Sequence, residues 1–227
     1  ADSVQSFQRC INLMRYKDGK VDYLYRNHFT SVDWNINNQK RGVLMDITRK
    51  IHNQKNESVA KIAHAIIDKP SWYRHKSVNT IRLTQRNSVL QKERLKELKA
   101  RGAQSTVTGS SLPYLPFSAL FLKNRQANLY LFAQIPDGAV IEVVRPNWDL
   151  RQQIGTALNV SHLGFAIWNK GVLYFREASS EYNKVVDVPL IKYLEQARKS
   201  PTIKGINIQV VLVNRPGDDN CSERNAH

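Results

Sequence analysis

Apolar residues recur at helical spacing in the first half of the chain and in short β-type runs in the second. Val4, Phe7, Ile11 and Met14 stand three or four residues apart, which predicts an amphipathic helix over 4–14. Asp18-Gly19 supplies turn chemistry to end it. The spacing of Val43, Leu44, Ile47 and Ile51 predicts a second helix over 37–51. A third is predicted over 88–99, with Leu90, Leu95 and Leu98 inside and charges outside. Residues 59–67 fit either a helix or a strand, and Lys69-Pro70-Ser71 breaks the run. The uncharged stretch 103–122 contains Gly109, Pro113 and Pro116 and reads as loop with short elements.

Beyond about residue 106 the pattern changes. β-rich runs at 140–144, 162–168, 172–175, 184–188 and 206–213 are punctuated by Pro113, Pro116, Pro136 and Pro146, and one helix is predicted late, over 190–198. Mostly helices followed by mostly strands is the order of an α+β fold. The expected architecture is a mainly helical part, 1–105, packed on a small curled antiparallel sheet or partial barrel within 106–227. No internal repeat or low-complexity tract interrupts it.

The net charge of +15 points to an anionic partner, such as nucleic acid, an anionic membrane face or an acidic polymer, or simply to a soluble basic surface. The densest basic run, 92–101, interleaves Glu93 and Glu97, as a salt-bridged helix face does, and no nucleic-acid-binding motif accompanies it. No apolar run approaches the roughly 18–20 residues of a spanning helix. The sequence shows neither an initiator Met nor a charged-then-apolar leader. Cys10 and Cys221, near opposite ends, could pair in an oxidising compartment. No CxxC, Cys–His cluster or HExxH motif supports a metal site, and no cofactor is called for.

The candidate chemistry lies in one hairpin. The run from His162 to Trp168, the turn Asn169-Lys170-Gly171 and the run from Val172 onward form a hairpin signal. With Asn169-Lys170 as a two-residue loop, His162 falls opposite Glu177; a three-residue loop would put Ala178 there instead. A carboxylate beside an imidazole fixes its tautomer and stabilises the charged ring. A histidine at a strand start is also a common packing or surface residue, so spacing alone does not make His162 a catalyst. Gly164, two residues on, can mark a close backbone approach.

These stretches together resemble the bacterial N-acetylmuramoyl-L-alanine amidase-like family, a branch of the NlpC-type, papain-like cysteine hydrolases. The resemblance runs through Arg15-Tyr16-Lys17-Asp18-Gly19, Arg26-Asn27-His28-Phe29, Asp33-Trp34, Arg41-Gly42 and Asp46-Ile47-Thr48. It continues through Leu112-Pro113-Tyr114-Leu115-Pro116 and Ile135-Pro136-Asp137-Gly138, and ends on the His162-x-Gly164 hairpin.

The resemblance implies a papain-like domain that cleaves peptidoglycan amide bonds in the periplasm or outside the cell. His162 would be the base and Glu177 its orienting partner, in a place where the family usually has a histidine before Ala-Ser. The nucleophile is a cysteine on a helix upstream of the residues matching Phe7 and Arg15, and Cys10 lies past that motif. Arg26, His28, Trp34 and Tyr114 become candidate substrate contacts, with His28 expected near the His162 cleft; the aromatics among them could equally be core. The alternative is a cell-wall-binding module of the same fold that has lost the chemistry.

Overall fold

The computed structural model describes residues 2–81 and 83–212; Cys221, His227 and the polar stretch around Pro216-Gly217 lie outside the described residues. Helices are α1 (Asp2–Arg15), α2 (Asn35–Lys40), α3 (Lys69–Arg74), α4 (Ser88–Gly102), α5 (Phe117–Leu120), α6 (Leu129–Phe132), α7 (Arg151–Ile154) and α8 (Leu190–Ala197). Strands are β1 (Leu44–Asp46), β2 (Lys61–Asp68), β3 (Val107–Pro116), β4 (Val140–Leu150), β5 (Thr156–Asn169), β6 (Val172–Ser179), β7 (Lys184–Pro189) and β8 (Gly205–Val211). A π-helical turn, Thr30–Trp34, leads directly into α2.

The eight strands form one open antiparallel sheet in the order β2-β3-β8-β4-β5-β6-β7, with β1 added on β8. One face is apolar. Leu115, Ile141, Val143, Ala166, Phe175, Ile206 and Ile208 pack there against Leu120, Leu131, Phe132, Leu190 and Leu194 from α5, α6 and α8. Complete burial of each of the leucine, isoleucine, valine and phenylalanine side chains contributes about 1.5–3 kcal/mol. The opposite face carries buried polar groups at Glu142, Asn207 and Gln209. Asn207 donates to Asp46 Oδ2 at 2.7 Å and to the Pro113 carbonyl at 2.9 Å, and the Thr48 hydroxyl receives the Ile208 amide at 2.8 Å.

The end of α1 is held by three asparagines. The Asn37 amide donates to Leu13 O, and those of Asn27 and Asn38 donate to Met14 O, serving last-turn carbonyls that the helix cannot satisfy itself. Leu13 is the residue α1 buries, whereas Val4 and Phe7 of the predicted stripe stay exposed. Cys10, on the same helix, is disulfide-bonded.

Several expectations are corrected. The segment 37–51 is not one helix: Gly42 takes φ +67°, Leu44–Asp46 pairs with β8, and the Asp46 carboxylate accepts the Thr48 amide at 2.8 Å to open a short 3-10 turn. Its apolar residues meet the core through strand and turn, which the 3–4 spacing mimicked. The stretch read as loop, 103–122, contains the ten-residue strand β3, which accommodates Pro113 opposite Ile62. Strand β2 pairs with it along all of Lys61–Asp68, so the sheet draws on the mainly helical part as well and is larger than expected. The strands and helix expected beyond residue 140 are all present, four of the strands longer than expected, and residue 213 of the last expected run lies outside the described residues. No helix among the described residues is long and apolar enough to cross a membrane.

Candidate active site

Lys170 and Gly171 form the tip of the β5–β6 hairpin, both at positive φ (49° and 78°), and Asn169 pairs with Val172. Two residues at positive φ make the turn whose twist matches paired strands. The loop is thus one residue later than expected, and the register moves by two. A shift of two keeps every side chain on its face. Glu177 now continues the register opposite Gly164 and reaches His162 diagonally, rather than lying directly across from it. His162 Nε2 and Glu177 Oε2 are in direct contact. The ring nitrogen donates to the carboxylate, which leaves Nδ1 as the nitrogen able to take a proton.

Gly164 makes this diagonal contact possible. A methyl group at Gly164 would lie 2.4 Å from the Arg176 carbonyl oxygen and 2.6 Å from Phe175 Cε2. The Phe175 ring occupies that space and stands edge-on to His162, with centroids 5.9 Å apart and planes at 81°. Gly164→Ala is therefore expected to cost about 1–3 kcal/mol. It should also part the hairpin beside the His162–Glu177 pair; a thermal midpoint equal to that of the unmodified protein would refute the overpacking argument.

Tyr193 of α8 packs on Phe175 at 4.7 Å between centroids. Its phenol is pushed up to about 12, first by burial and then by the Glu177 carboxylate, with Arg145 acting the other way. The His162 side chain keeps 32% of its surface accessible, against 11% for Glu177. The imidazole is reachable from outside while its partner is shielded, the arrangement a base and its orienting group require.

The remaining candidates are not gathered around this pair. Arg26 and His28 line a cavity of about 550 Å³ with Asp33 and Lys69, and neither His162 nor Glu177 lines it. His28 donates through Nε2 to Tyr23 O at 2.8 Å and lies between the Tyr23 and Trp72 rings. Burial drops its imidazole to about 4, so it is neutral at pH 7. Asp33, five residues further along, contacts Lys69 Nζ and accepts the Phe29 amide at 3.4 Å. Trp34 is half-buried at the end of the π-helical turn. Tyr114 is buried, paired with Lys61 across β2–β3, and lines a different cavity. The expected approach of His28 to the His162 cleft is not found: the aromatic packing of His28 against Trp72 holds it in a separate cluster.

One residue of chemical interest was not singled out from the sequence. Glu142 is completely buried on β4, on the face opposite His162. Its signal was present as the lone carboxylate inside the apolar run Val140-Ile141-Glu142-Val143-Val144. Among the described residues no group of three or more His, Cys, Asp or Glu is placed to hold a metal ion.

Comparison with known proteins places this geometry in a family. Protein LPG0564 from Legionella pneumophila str. Philadelphia 1, of family model DUF1460, is 60% identical over 95% of this chain and 72% of its own, with a TM-score of 0.91. An N-acetylmuramoyl-L-alanine amidase from Bacteroides uniformis is 22% identical over 94% of this chain and 77% of its own, with a TM-score of 0.59. A putative xylanase from Bacteroides fragilis is 24% identical over 89% of this chain and 74% of its own, with a TM-score of 0.55. At those identities the two Bacteroides proteins share the fold alone. No curated protein matches the chain. The AmiA-like family model, described as N-acetylmuramoyl-L-alanine amidase-like, matches residues 1–203, and the chain belongs to that family.

Proposed function

We propose that this chain carries the imidazole–carboxylate half of a cysteine-type amide hydrolase of the papain-like class acting on peptidoglycan. The carrying observation is the contact between His162 Nε2 and Glu177 Oε2 on neighbouring strands, with the imidazole accessible and the carboxylate shielded. In this reading His162 Nδ1 takes the proton of a cysteine thiol as sulfur attacks the amide carbonyl. The same nitrogen returns the proton to the leaving amine as the C–N bond breaks. Water, deprotonated by His162, then cleaves the thioester and frees the thiol. Glu177 holds the tautomer and stabilises the imidazolium. Cys10 cannot supply the thiol while its sulfur is in a disulfide. The family resemblance puts the nucleophilic cysteine on a helix upstream of the residues matching Phe7 and Arg15, and this reading takes it from there.

Family membership supports the substrate class. The Cys10 disulfide fits an oxidising compartment, and the +15 charge suits an anionic envelope. Glu177→Gln in the full-length protein tests the assignment on purified sacculi, followed by release of soluble wall fragments. The amide still accepts a hydrogen bond but does not balance the imidazolium charge, so kcat should fall about 10–100-fold with KM little changed. Unchanged kcat would remove Glu177 from the site. Binding of sacculi without hydrolysis by the unmodified protein would be the behaviour of a wall-binding module.

A further inference from the structure

A second cavity, of about 500 Å³, lies where the start of β2, the end of β3, the turn after α5 and the segment joining α8 to β8 meet. Lys61, Arg125, Arg198 and Lys204 line it, with the aromatic rings of Tyr114 and Phe121, and no acidic residue is present in its wall. His162 and Glu177 are not part of it.

Local structure sets the backbone position of three of these cations and holds the side chain of the fourth, Arg198. Lys61 stands directly across β2–β3 from Tyr114, so the two side chains share a face. The Arg198 guanidinium lies 4.7 Å from the centroid of Phe121, a cation–π contact that holds it at the end of α8. Lys204 is pinned at both backbone groups, its amide donating to Val144 O and its carbonyl accepting the Phe117 amide, each at 2.9 Å. The next residue, Gly205, packs so closely on β3 that a methyl there would meet Leu115 O at 1.9 Å. Arg125 takes φ 68° in the tight turn closed by Leu122 and Gln126, a conformation that costs a non-glycine residue energy.

Among the described residues, none of these four cations forms an ion pair with a carboxylate. Four like charges around one concavity repel one another. Their convergence is explained by a ligand that brings the opposite charge.

We propose that this cavity binds a ligand bearing a carboxylate or phosphate, with the four cations taking that anionic group. Calorimetric titration of the protein at 150 mM salt with trigalacturonate, glucose 6-phosphate and neutral maltotriose tests it. Trigalacturonate identifies carboxylate as the anion read, and glucose 6-phosphate identifies phosphate. At least one of them should bind, and maltotriose should not. Arg125→Gln/Lys204→Gln, which alters two exposed side chains, should weaken that binding about tenfold or more. Lys92→Gln/Lys96→Gln, which removes two exposed charges from α4 far from the cavity wall, should leave it unchanged. Equal loss in both double variants would reduce the effect to diffuse surface charge and overturn the proposal. So would binding of maltotriose as tight as that of the charged sugars, or no binding of either charged sugar.

Discussion

Replacing His162 with alanine in the full-length protein is expected to lower the rate of wall-fragment release from sacculi by about 10²–10⁴-fold, the contribution of a positioned acid–base group. The same imidazole is asked to take the thiol proton, return it to the leaving amine and activate water. Of the other groups packed beside it, Phe175 and Gly164 carry no titratable group and Tyr193 holds its proton to about 12, and Glu177 is shielded from outside. Folding should survive the change. The side chain is about one-third accessible, and its principal apolar contact is the edge of Phe175. Circular dichroism and the thermal midpoint should therefore move little while kcat collapses. Combining His162→Ala with Glu177→Gln should cost no more than His162→Ala alone, since a carboxylate that acts through the imidazole has nothing to act on once it is gone. Additive losses would assign Glu177 a separate role, and an active His162→Ala enzyme would end the assignment of His162 as base.

Much of the sheet was legible because its strands alternate or run apolar between clear turns. The hairpin of His162 and Glu177 could be read to the correct face even though its loop lies one residue later. The turn tip was ambiguous between Asn169-Lys170 and Lys170-Gly171, and a register change of two conserves the face. β3 was hidden by Pro113, Pro116 and its hydroxyl-rich start, which resemble a loop until the pairing with β2 and β8 is known. The segment 37–51 failed for the opposite reason. Its apolar spacing is helical, yet Gly42 at positive φ and the partner strand β8 decide its shape, and β8 lies more than 150 residues away in the chain. The candidate substrate residues scattered because sequence order says little about which loops converge. Arg26 and His28 follow the turn after α1, whereas Tyr114 follows β3 to another cavity. The basic cavity itself had no sequence signal, its four cations being drawn from three separate stretches of the chain, at Lys61, at Arg125 and at Arg198 with Lys204.

Glu142 is expected to make the stability of the fold depend on pH in the direction opposite to that of an ion-paired carboxylate. Its side chain is completely buried between β5 and β8, opposite Leu163 and Asn207, and accepts the Asn35 amide at 3.1 Å through Oε2. Burial is the main cause that raises its carboxyl from 4.5 to about 8; the Asn35 hydrogen bond opposes the rise and Asp46 adds to it. The native state therefore keeps the proton that the unfolded chain releases above about pH 4.5. Between that value and about 8, unfolding releases a proton, so stability falls as pH rises, by about 1.4 kcal/mol per pH unit. By pH 7 the loss amounts to roughly 3 kcal/mol. Glu142→Gln should remove this slope. The glutamine carbonyl can still accept the Asn35 amide. Its NH2 group brings donors to a place where Glu142 Oε1 and the side-chain oxygens of Asn35 and Asn38 are buried without partners. The variant should gain on the unmodified protein as pH rises from 5 to 8, with a midpoint roughly 6–12 °C higher at pH 7 for a domain of this size. At pH 4 the two should lie close together. Thermal unfolding across that range, read as the difference between the two proteins, isolates Glu142 from every other titrating group. Parallel curves would mean that Glu142 is ionised in the folded state, and the buried amides around it would then have to be stabilising a charge.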